Sequence, residues 1–264
     1  MQKSNIEWCD MTWNPVVGCK HGCEYCYARR IAARFGGYDK DDGTGTITTH
    51  NPLPRAELHQ PLTITRRGGK TVNSPFPFGF EPTFLHYRLE EPQHHKGQQT
   101  IFVCSMADLF GRWAPTRWIV DVLDACQKAP QHRYMFLTKN PARYLEMDRV
   151  ALLPHGENFW YGSSVPDETA QAMYPKAEGI NTFWSMEPLL GPVNLSKSEG
   201  LPQWIILGAM TGPGSAQRQP KREWVEDIVR EADISKIPVF MKDSLRPIIG
   251  KENMRRGFPR EGAE

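Results

Sequence analysis

The stretch Gly18-Cys19-Lys20-His21-Gly22-Cys23-Glu24-Tyr25-Cys26 contains three cysteines at Cx3Cx2C spacing. Thiolate sulfur is a soft ligand, which suits iron-sulfur clusters, zinc or Cu(I) better than hard cations. A structural zinc ion takes four protein ligands, whereas a [4Fe-4S] cluster held by three cysteines keeps one iron open for a substrate or cofactor. The stretch therefore predicts a metal or cluster site, and the count of three favours an iron-sulfur cluster.

The other three cysteines lie outside this stretch. Cys104 falls in a predicted buried strand and Cys126 on the apolar face of a predicted helix, so both are expected in the core. Cys9 is ambiguous, because either Cys9 or His21 would supply the fourth ligand of a zinc site with the three clustered cysteines. Clustered and scattered cysteines are typical of a reducing compartment rather than of a disulfide framework.

Composition and hydropathy predict a cytoplasmic protein. The 264 residues are 39% hydrophobic and contain no apolar run near the length of a membrane span. The polar N-terminal residues lack the apolar region of a secretory signal. We therefore expect a single domain over residues 1–264, with no membrane partner.

The net charge of +2 gives no reason to expect strong non-specific binding to nucleic acids. Locally, however, cations form two groups. The first group follows the cysteines and consists of Arg29, Arg30 and Arg34. The second lies in a glycine-containing segment and consists of Arg66, Arg67 and Lys70. A solvated face is the ordinary explanation for such groups, and a phosphate-bearing substrate is the sharper alternative.

Short apolar runs alternate with helical patterns along most of the chain, which predicts an α/β fold with a parallel sheet. Two helices are predicted, over Pro115–Lys128 and Arg222–Ala232. This periodicity is compatible with either an open sheet or a barrel. The predicted strands lie near Val16-Val17, Thr100–Ser105, Tyr134–Thr138, Asn158–Ser163, Thr182–Met186, Trp204–Gly208 and Ile237–Met241.

Residues 36–99 interrupt the alternation and are rich in Gly, Pro, Thr and His. We interpret them as an insertion that forms small strands or a lid over the site. Within it, Thr63–Val72 is predicted to contain a β-hairpin that turns at Arg67-Gly68-Gly69. The phenylalanines Phe76, Phe78, Phe80 and Phe84 are expected to pack the insertion onto the domain rather than to stack on a substrate.

The three-cysteine motif, with Tyr25 directly before the last cysteine, resembles the signature of the radical S-adenosylmethionine (SAM) superfamily. More narrowly, the chain resembles a phage- and bacteria-encoded family of radical-SAM-like proteins of unassigned reaction. The matching stretches are Trp13–Tyr27, Phe102–Phe110, Phe136–Pro141, Trp160–Val165 and Ser185–Pro192.

The resemblance implies a partial (βα)6-type TIM-like barrel, with the cluster loop after the first strand and the insertion after the first βα unit. It implies a [4Fe-4S] cluster on Cys19, Cys23 and Cys26, and SAM as cofactor or co-substrate. Reductive cleavage of SAM would give a 5′-deoxyadenosyl radical that abstracts hydrogen from the substrate. An electron donor such as flavodoxin or ferredoxin and a separate protein partner are also implied.

The resemblance further implies SAM-binding residues, each of which has a simpler interpretation. Gly18 and Gly22 would let the backbone approach the cluster, or would serve only as turn residues. Tyr25 would lie near the adenine, or would only pack. Ser105 and Asp108 end the second strand, where superfamily members carry a Gly-Gly-Glu-like stretch, although Asp108 would equally cap the segment that follows it.

The remaining predicted contacts lie at later strand ends. Ser163 and Ser164 would bind the ribose or carboxylate of SAM, or form a turn. Glu187 follows an apolar strand and needs a partner, which a ribose or a cation would provide. Gly208 opens a stretch in which the acidic residue of relatives is missing. Lys139 and Lys242 also end strands, where they would contact substrate or be ordinary surface lysines, and we favour the second interpretation.

Two further alternatives remain open. A zinc-stabilised, non-catalytic nucleic-acid-binding module would use the arginines after Cys26 as phosphate contacts. It does not account for the long βα pattern, so the enzyme is favoured. A SAM-cleaving enzyme that acts on a nucleic acid or nucleotide keeps the cluster chemistry and changes only the substrate, which the sequence does not identify.

Overall fold

The computed structural model describes residues 1–38, 56–170, 172 and 179–259. The chain divides into two compact units. Unit 1 comprises Met1–Ser4 and Cys9–His132, and unit 2 comprises Asn5–Trp8 and Arg133–Glu264.

Unit 1 contains small sheets and two helices. Strand β2 runs parallel to β8 and antiparallel to β1. Strand β7 pairs antiparallel with β3 and parallel with β4, and β5 pairs antiparallel with β6. The elements are β1 (Gln2–Lys3), β2 (Met11–Trp13), β3 (Val16–Val17), α1 (Tyr27–Phe35), β4 (Ala56–Leu58), β5 (Thr63–Thr65), β6 (Thr71–Asn73), β7 (Thr83–Leu85), β8 (Thr100–Val103) and α2 (Thr116–Gln127).

The core of unit 1 confirms the predicted helix at α2. Its apolar face buries Trp118, Ile119, Val122, Leu123 and Cys126, at the spacing expected for one side of an α-helix. Cys104 is buried as well, so the predicted core positions of both isolated cysteines are confirmed.

Val16-Val17 forms a strand, as predicted, but this strand does not belong to the parallel sheet. The parallel partner of β8 is instead β2, whereas β3 pairs antiparallel with β7 in a separate small sheet. Pro15 interrupts the run because it has no N–H to donate to a neighbouring strand. Its carbonyl instead accepts a 2.7 Å hydrogen bond from Leu85 N. The three-cysteine stretch therefore follows β3 of the small sheet and not β2 of the parallel pair.

The insertion contains small strands in its described part, as predicted. The hairpin of β5 and β6 is confirmed, and it turns through Gly68 and Gly69, which both have positive φ. Phe76 and Phe84 are buried, which confirms packing as the role of these two rings. Phe76 packs with Ala32 of α1 in one hydrophobic cluster. Positions 39–55 of the insertion lie outside the described residues.

Unit 2 contains a five-stranded parallel sheet, in the order β9-β10-β11-β12-β13. Sheet and helices share a core formed mainly by aliphatic side chains from β11, β12, β13 and α4. The elements are β9 (Arg133–Thr138), α3 (Ala142–Arg149), β10 (Phe159–Ser164), β11 (Asn181–Met186), β12 (Trp204–Leu207), α4 (Arg222–Ile234), β13 (Val239–Met241) and α5 (Arg246–Ile249).

The fold class is therefore mixed α/β with mostly parallel strands, as the sequence predicted. No closed barrel is found among the described residues. None of the helices in the described ranges has both the length and the hydropathy needed to cross a membrane.

Candidate functional site

The three-cysteine loop of unit 1 is anchored by backbone hydrogen bonds. Gly18 N donates to Met106 O (2.9 Å) and Cys19 N donates to Phe80 O (3.0 Å). At the far end, Cys26 caps α1, and its sulfur accepts from Arg29 N at 3.4 Å. The loop is therefore tied to the segment after β8, to the insertion and to the N-terminus of a helix.

Gly18 and Gly22 both have positive φ, 86° and 73° respectively, which L-residues with a side chain rarely adopt. At Gly18 a Cβ would also lie 2.2 Å from the carbonyl oxygen of Glu81. At Gly22 a Cβ would meet no described atom within 4 Å. Gly18 is thus required by close backbone packing within the chain, whereas Gly22 is required only by the turn.

The thiols of this loop influence one another electrostatically. Cys19, Cys23 and Cys26 are all half-buried. Burial raises the pKa of Cys19 to about 12, and the charges of Asp108, Cys23 and Cys26 contribute in the same direction, against a backbone hydrogen bond from His21. Without a bound cation, Cys19 is therefore a neutral thiol at physiological pH, and metal binding there must release its proton.

His21 and Asp108 form a pair that the sequence analysis did not predict. His21 Nε2 lies 2.6 Å from Asp108 Oδ2, and the imidazole meets the Trp113 ring edge-on at 4.7 Å. The other carboxylate oxygen, Oδ1, accepts from Phe110 N at 3.1 Å, in agreement with the predicted capping interpretation of Asp108. The pair joins the tip of the cysteine loop to the segment after β8. No periodic pattern links residues so far apart in sequence.

The segment after β8 makes a second connection to the start of α1. Tyr27 Oη donates to the carbonyl of Ser105 at 2.7 Å. The buried side chain of Asn14 accepts from Ser105 Oγ (3.2 Å) and Met106 N (3.0 Å). Tyr25, the aromatic residue of the motif, is half-buried. Asp108 thus contacts the cysteine loop and Ser105 contacts the start of α1, while the roles of both as SAM contacts stay predictions.

The donors around the cysteine loop bear on which metal group it would hold. Within the described ranges, no three His, Cys, Asp or Glu side chains are gathered so that they could hold a metal ion. Cys9 is buried and donates to Ser4 Oγ at 3.2 Å, and His21 bonds to Asp108. The two candidates for a fourth zinc ligand thus already have partners. The thiols of Cys19, Cys23 and Cys26 share one anchored loop but are not gathered as a metal site in this structure, so the cluster stays a prediction.

In unit 2, Glu187 follows β11 and is surrounded by donors. Its carboxylate accepts from Trp8 Nε1 (3.1 Å) and Ser185 Oγ (3.0 Å) and pairs with Lys242 Nζ (2.8 Å). Gly208 lies beside this pair, because a Cβ there would come 3.2 Å from Lys242 Cδ and 3.3 Å from Glu187 Cγ. The partner expected for Glu187 is therefore a cation of the chain itself, and Lys242 has a role that the sequence analysis did not assign.

The two predicted serines lie at the end of β10. Ser163 is fully buried, whereas Ser164 is half-buried and accepts from Lys139 Nζ at 3.0 Å. Both Lys139 and Lys242 thus bond to predicted site residues of their own unit. Ser163, Ser164, Glu187 and Gly208 stay predictions as SAM contacts.

We expect Glu187→Gln to lower the free energy of unfolding by about 1–3 kcal/mol, because it leaves a largely buried ammonium without a carboxylate. Glu187 and Lys242 side chains are 15% and 27% exposed. Chemical denaturation of Glu187→Gln, Lys242→Met and the double variant measures the coupling. The proposed coupling between Glu187 and Lys242 is contradicted if the losses of unfolding free energy in the two single variants add up to the loss in the double variant.

One protein family matches residues 3–246, and its description is protein of unknown function (DUF5131). No curated protein and no solved structure matches the chain.

Proposed function

The chain belongs to the DUF5131 family of proteins of unknown function, and we propose that it is a radical SAM enzyme whose cluster is bound by Cys19, Cys23 and Cys26. When bound, a [4Fe-4S] cluster of this kind supplies the electron that cleaves SAM and so initiates hydrogen abstraction from the substrate. The substrate class under this proposal includes nucleic acids and nucleotides.

The observation that carries the proposal is the placement of three half-buried thiols on one anchored loop. The charges of Cys23 and Cys26 both raise the pKa of Cys19, in addition to the larger effect of burial. Bound iron would compensate the charge of three neighbouring thiolates. Three ligands leave one iron of such a cluster open, which SAM binding requires.

The chain's own groups support an anionic cluster at this loop. The first-turn N–H groups of α1 point toward the Cys26 end, and a helix N-terminus favours negative charge. Arg29 follows Cys26 and extends Nη2 to the carbonyl of Cys19 at 3.5 Å. The His21–Asp108 bond and the Tyr27–Ser105 bond fix the loop against the segment after β8. These contacts would hold the cysteine ligands in place and limit the access of water.

The remaining parts of the proposal follow the same reasoning. A partial (βα)6-type arrangement is supported by the parallel β2–β8 pair in unit 1 and by the five parallel strands in unit 2. Gly22, Tyr25, Ser105 and Asp108 are proposed to face the cofactors, whereas Gly18 packs against the backbone of Glu81. An electron donor such as flavodoxin or ferredoxin, a separate protein partner and a cytoplasmic location remain expectations.

The proposal is tested by SAM cleavage under anaerobic conditions. Protein reconstituted with iron and sulfide is reduced with dithionite, mixed with SAM and analysed for 5′-deoxyadenosine by chromatography. We expect 5′-deoxyadenosine to form at a rate proportional to protein, and none without reductant. A fully reconstituted protein that binds SAM but forms no 5′-deoxyadenosine would argue against radical chemistry.

A further inference from the structure

We propose that α1 and the β5–β6 hairpin form one nucleic-acid-binding face, which contacts the phosphodiester backbone of the substrate. This basic face consists of Arg29, Arg30, Arg34, Arg66, Arg67 and Lys70. The inference deepens the proposed function, because it names nucleic acid as the substrate class of the cysteine-loop site. It rests on the proposed function for calling the nucleic acid a substrate, whereas binding itself is tested separately.

The two groups of cations, which are separate in sequence, meet at Phe35. The guanidinium of Arg34 lies 5.0 Å from the centre of the Phe35 ring, and that of Arg66 lies 6.0 Å from the same centre. Arg34 belongs to α1, whereas Arg66 follows β5 in the hairpin. One exposed aromatic ring therefore joins the helix and the hairpin into a continuous cationic surface.

The helical geometry of α1 directs its cations outward. Ala28 and Ala32 are the buried residues of this helix and lie one turn apart. Arg30 and Arg34 are also one turn apart, and each follows one of these alanines by two residues, or about 200° at about 100° per residue, which places them on the opposite side. Both arginines are exposed, as are Arg66, Arg67 and Lys70 in the hairpin.

The charges of this face are not neutralised by the part of the chain that the structure describes. Elsewhere, exposed arginines pair with carboxylates, as in Arg222–Glu226 and Arg230–Asp227. No described carboxylate lies within ion-pair distance of any of the six cations. Like charges held this close repel one another, and a polyanion relieves that repulsion while releasing its own counterions.

The position of the face also favours a nucleic acid over a free anion. Arg29 contacts the carbonyl of Cys19, and its guanidinium lies 5.2 Å from the centre of the Phe80 ring. The cations therefore extend from the cysteine loop along α1 to the hairpin. A row of cations interleaved with aromatic rings suits a chain of phosphates better than a single phosphate group. A phosphate backbone bound along this row would bring a nucleotide to the cysteine loop.

The test is fluorescence anisotropy with a labelled single-stranded oligonucleotide of about 20 nucleotides, titrated with the full chain at about 0.05 M and 0.2 M salt. The test variant is Arg30→Gln/Arg67→Gln, which keeps the Phe35 contacts. The control variant, Lys96→Gln/Lys128→Gln, removes two exposed cations elsewhere in unit 1. Circular dichroism checks that both variants are folded.

We expect salt-dependent binding that weakens roughly tenfold in the test variant, with a salt slope shallower by about 1.4, and little change in the control. RNA and duplex DNA of the same sequence identify which nucleic acid is preferred. Equal losses in the two variants, absence of binding at low salt, or equally effective competition by polyglutamate would overturn the inference.

Iron content and 5′-deoxyadenosine formation are measured on the same preparation. If the protein holds iron and cleaves SAM but does not bind the oligonucleotide, this inference is contradicted and the proposed function is not. If the protein binds the oligonucleotide but holds no iron, the proposed function is contradicted and the nucleic-acid-binding face is not.

Discussion

Replacing any one of Cys19, Cys23 and Cys26 by alanine is expected to abolish iron binding and SAM cleavage together. Each thiolate is one of only three protein ligands in the proposed site, so loss of one leaves two irons of the cluster without a protein ligand. We expect anaerobically reconstituted Cys23→Ala to lose nearly all of its iron and its absorbance at about 400 nm. 5′-Deoxyadenosine should fall below detection.

Cys9→Ser is the matched control for these variants. Cys9 is buried, whereas the three motif cysteines are half-buried, and serine keeps a donor for the hydrogen bond to Ser4 Oγ. The proposal predicts that this variant retains its iron and its activity. Loss of metal from Cys9→Ser to the same degree as from Cys23→Ala would indicate a four-cysteine site instead, which is the arrangement expected of structural zinc.

Gly18→Ala is expected to destabilise the protein severely, by about 3 kcal/mol or more, because overpacking and backbone strain act together. Its methyl group would lie 2.2 Å from Glu81 O and 2.8 Å from Phe80 O, which are backbone atoms that can move only if the loop and the insertion separate. The positive φ adds roughly 1–2 kcal/mol for any L-residue with a side chain. The midpoint of chemical denaturation measures the loss.

Gly22→Ala separates the two contributions. It has a similar positive φ but no described atom within 4 Å of the added methyl group. We therefore expect it to cost only about 1–2 kcal/mol. If Gly18→Ala and Gly22→Ala proved equally stable, the close packing of Gly18 against the insertion would be incorrect.

The sequence was most informative where periodic patterns and local turn chemistry act alone. The apolar face of α2 and the glycine turn between β5 and β6 depend on neighbouring residues, and both were predicted correctly. The alternation of strands and helices similarly indicated the parallel sheet of unit 2. Val16-Val17 was correctly predicted as a strand, but a short apolar run does not reveal its pairing partner, which is β7 in the insertion.

The site was predicted only in part, because side-chain partners depend on distant contacts. The cysteine spacing identified the loop, but not the bond between His21 and Asp108 or the convergence of Arg34 and Arg66 on Phe35. Glu187 was recognised as a carboxylate in need of a partner, yet Lys242 was not identified as that partner. Residue types therefore indicated where partners were needed, and the fold determined which residues supplied them.

The central claim is that the three cysteines bind an iron-sulfur cluster, and metal analysis of the protein tests it most directly. The full chain is purified and reconstituted without oxygen, and its iron, sulfide and zinc are measured per chain. We predict about four irons per chain, an equal amount of sulfide and a broad absorbance at about 400 nm. A colourless protein that keeps one zinc per chain after reconstitution with iron and sulfide would contradict the account and support the zinc-stabilised module.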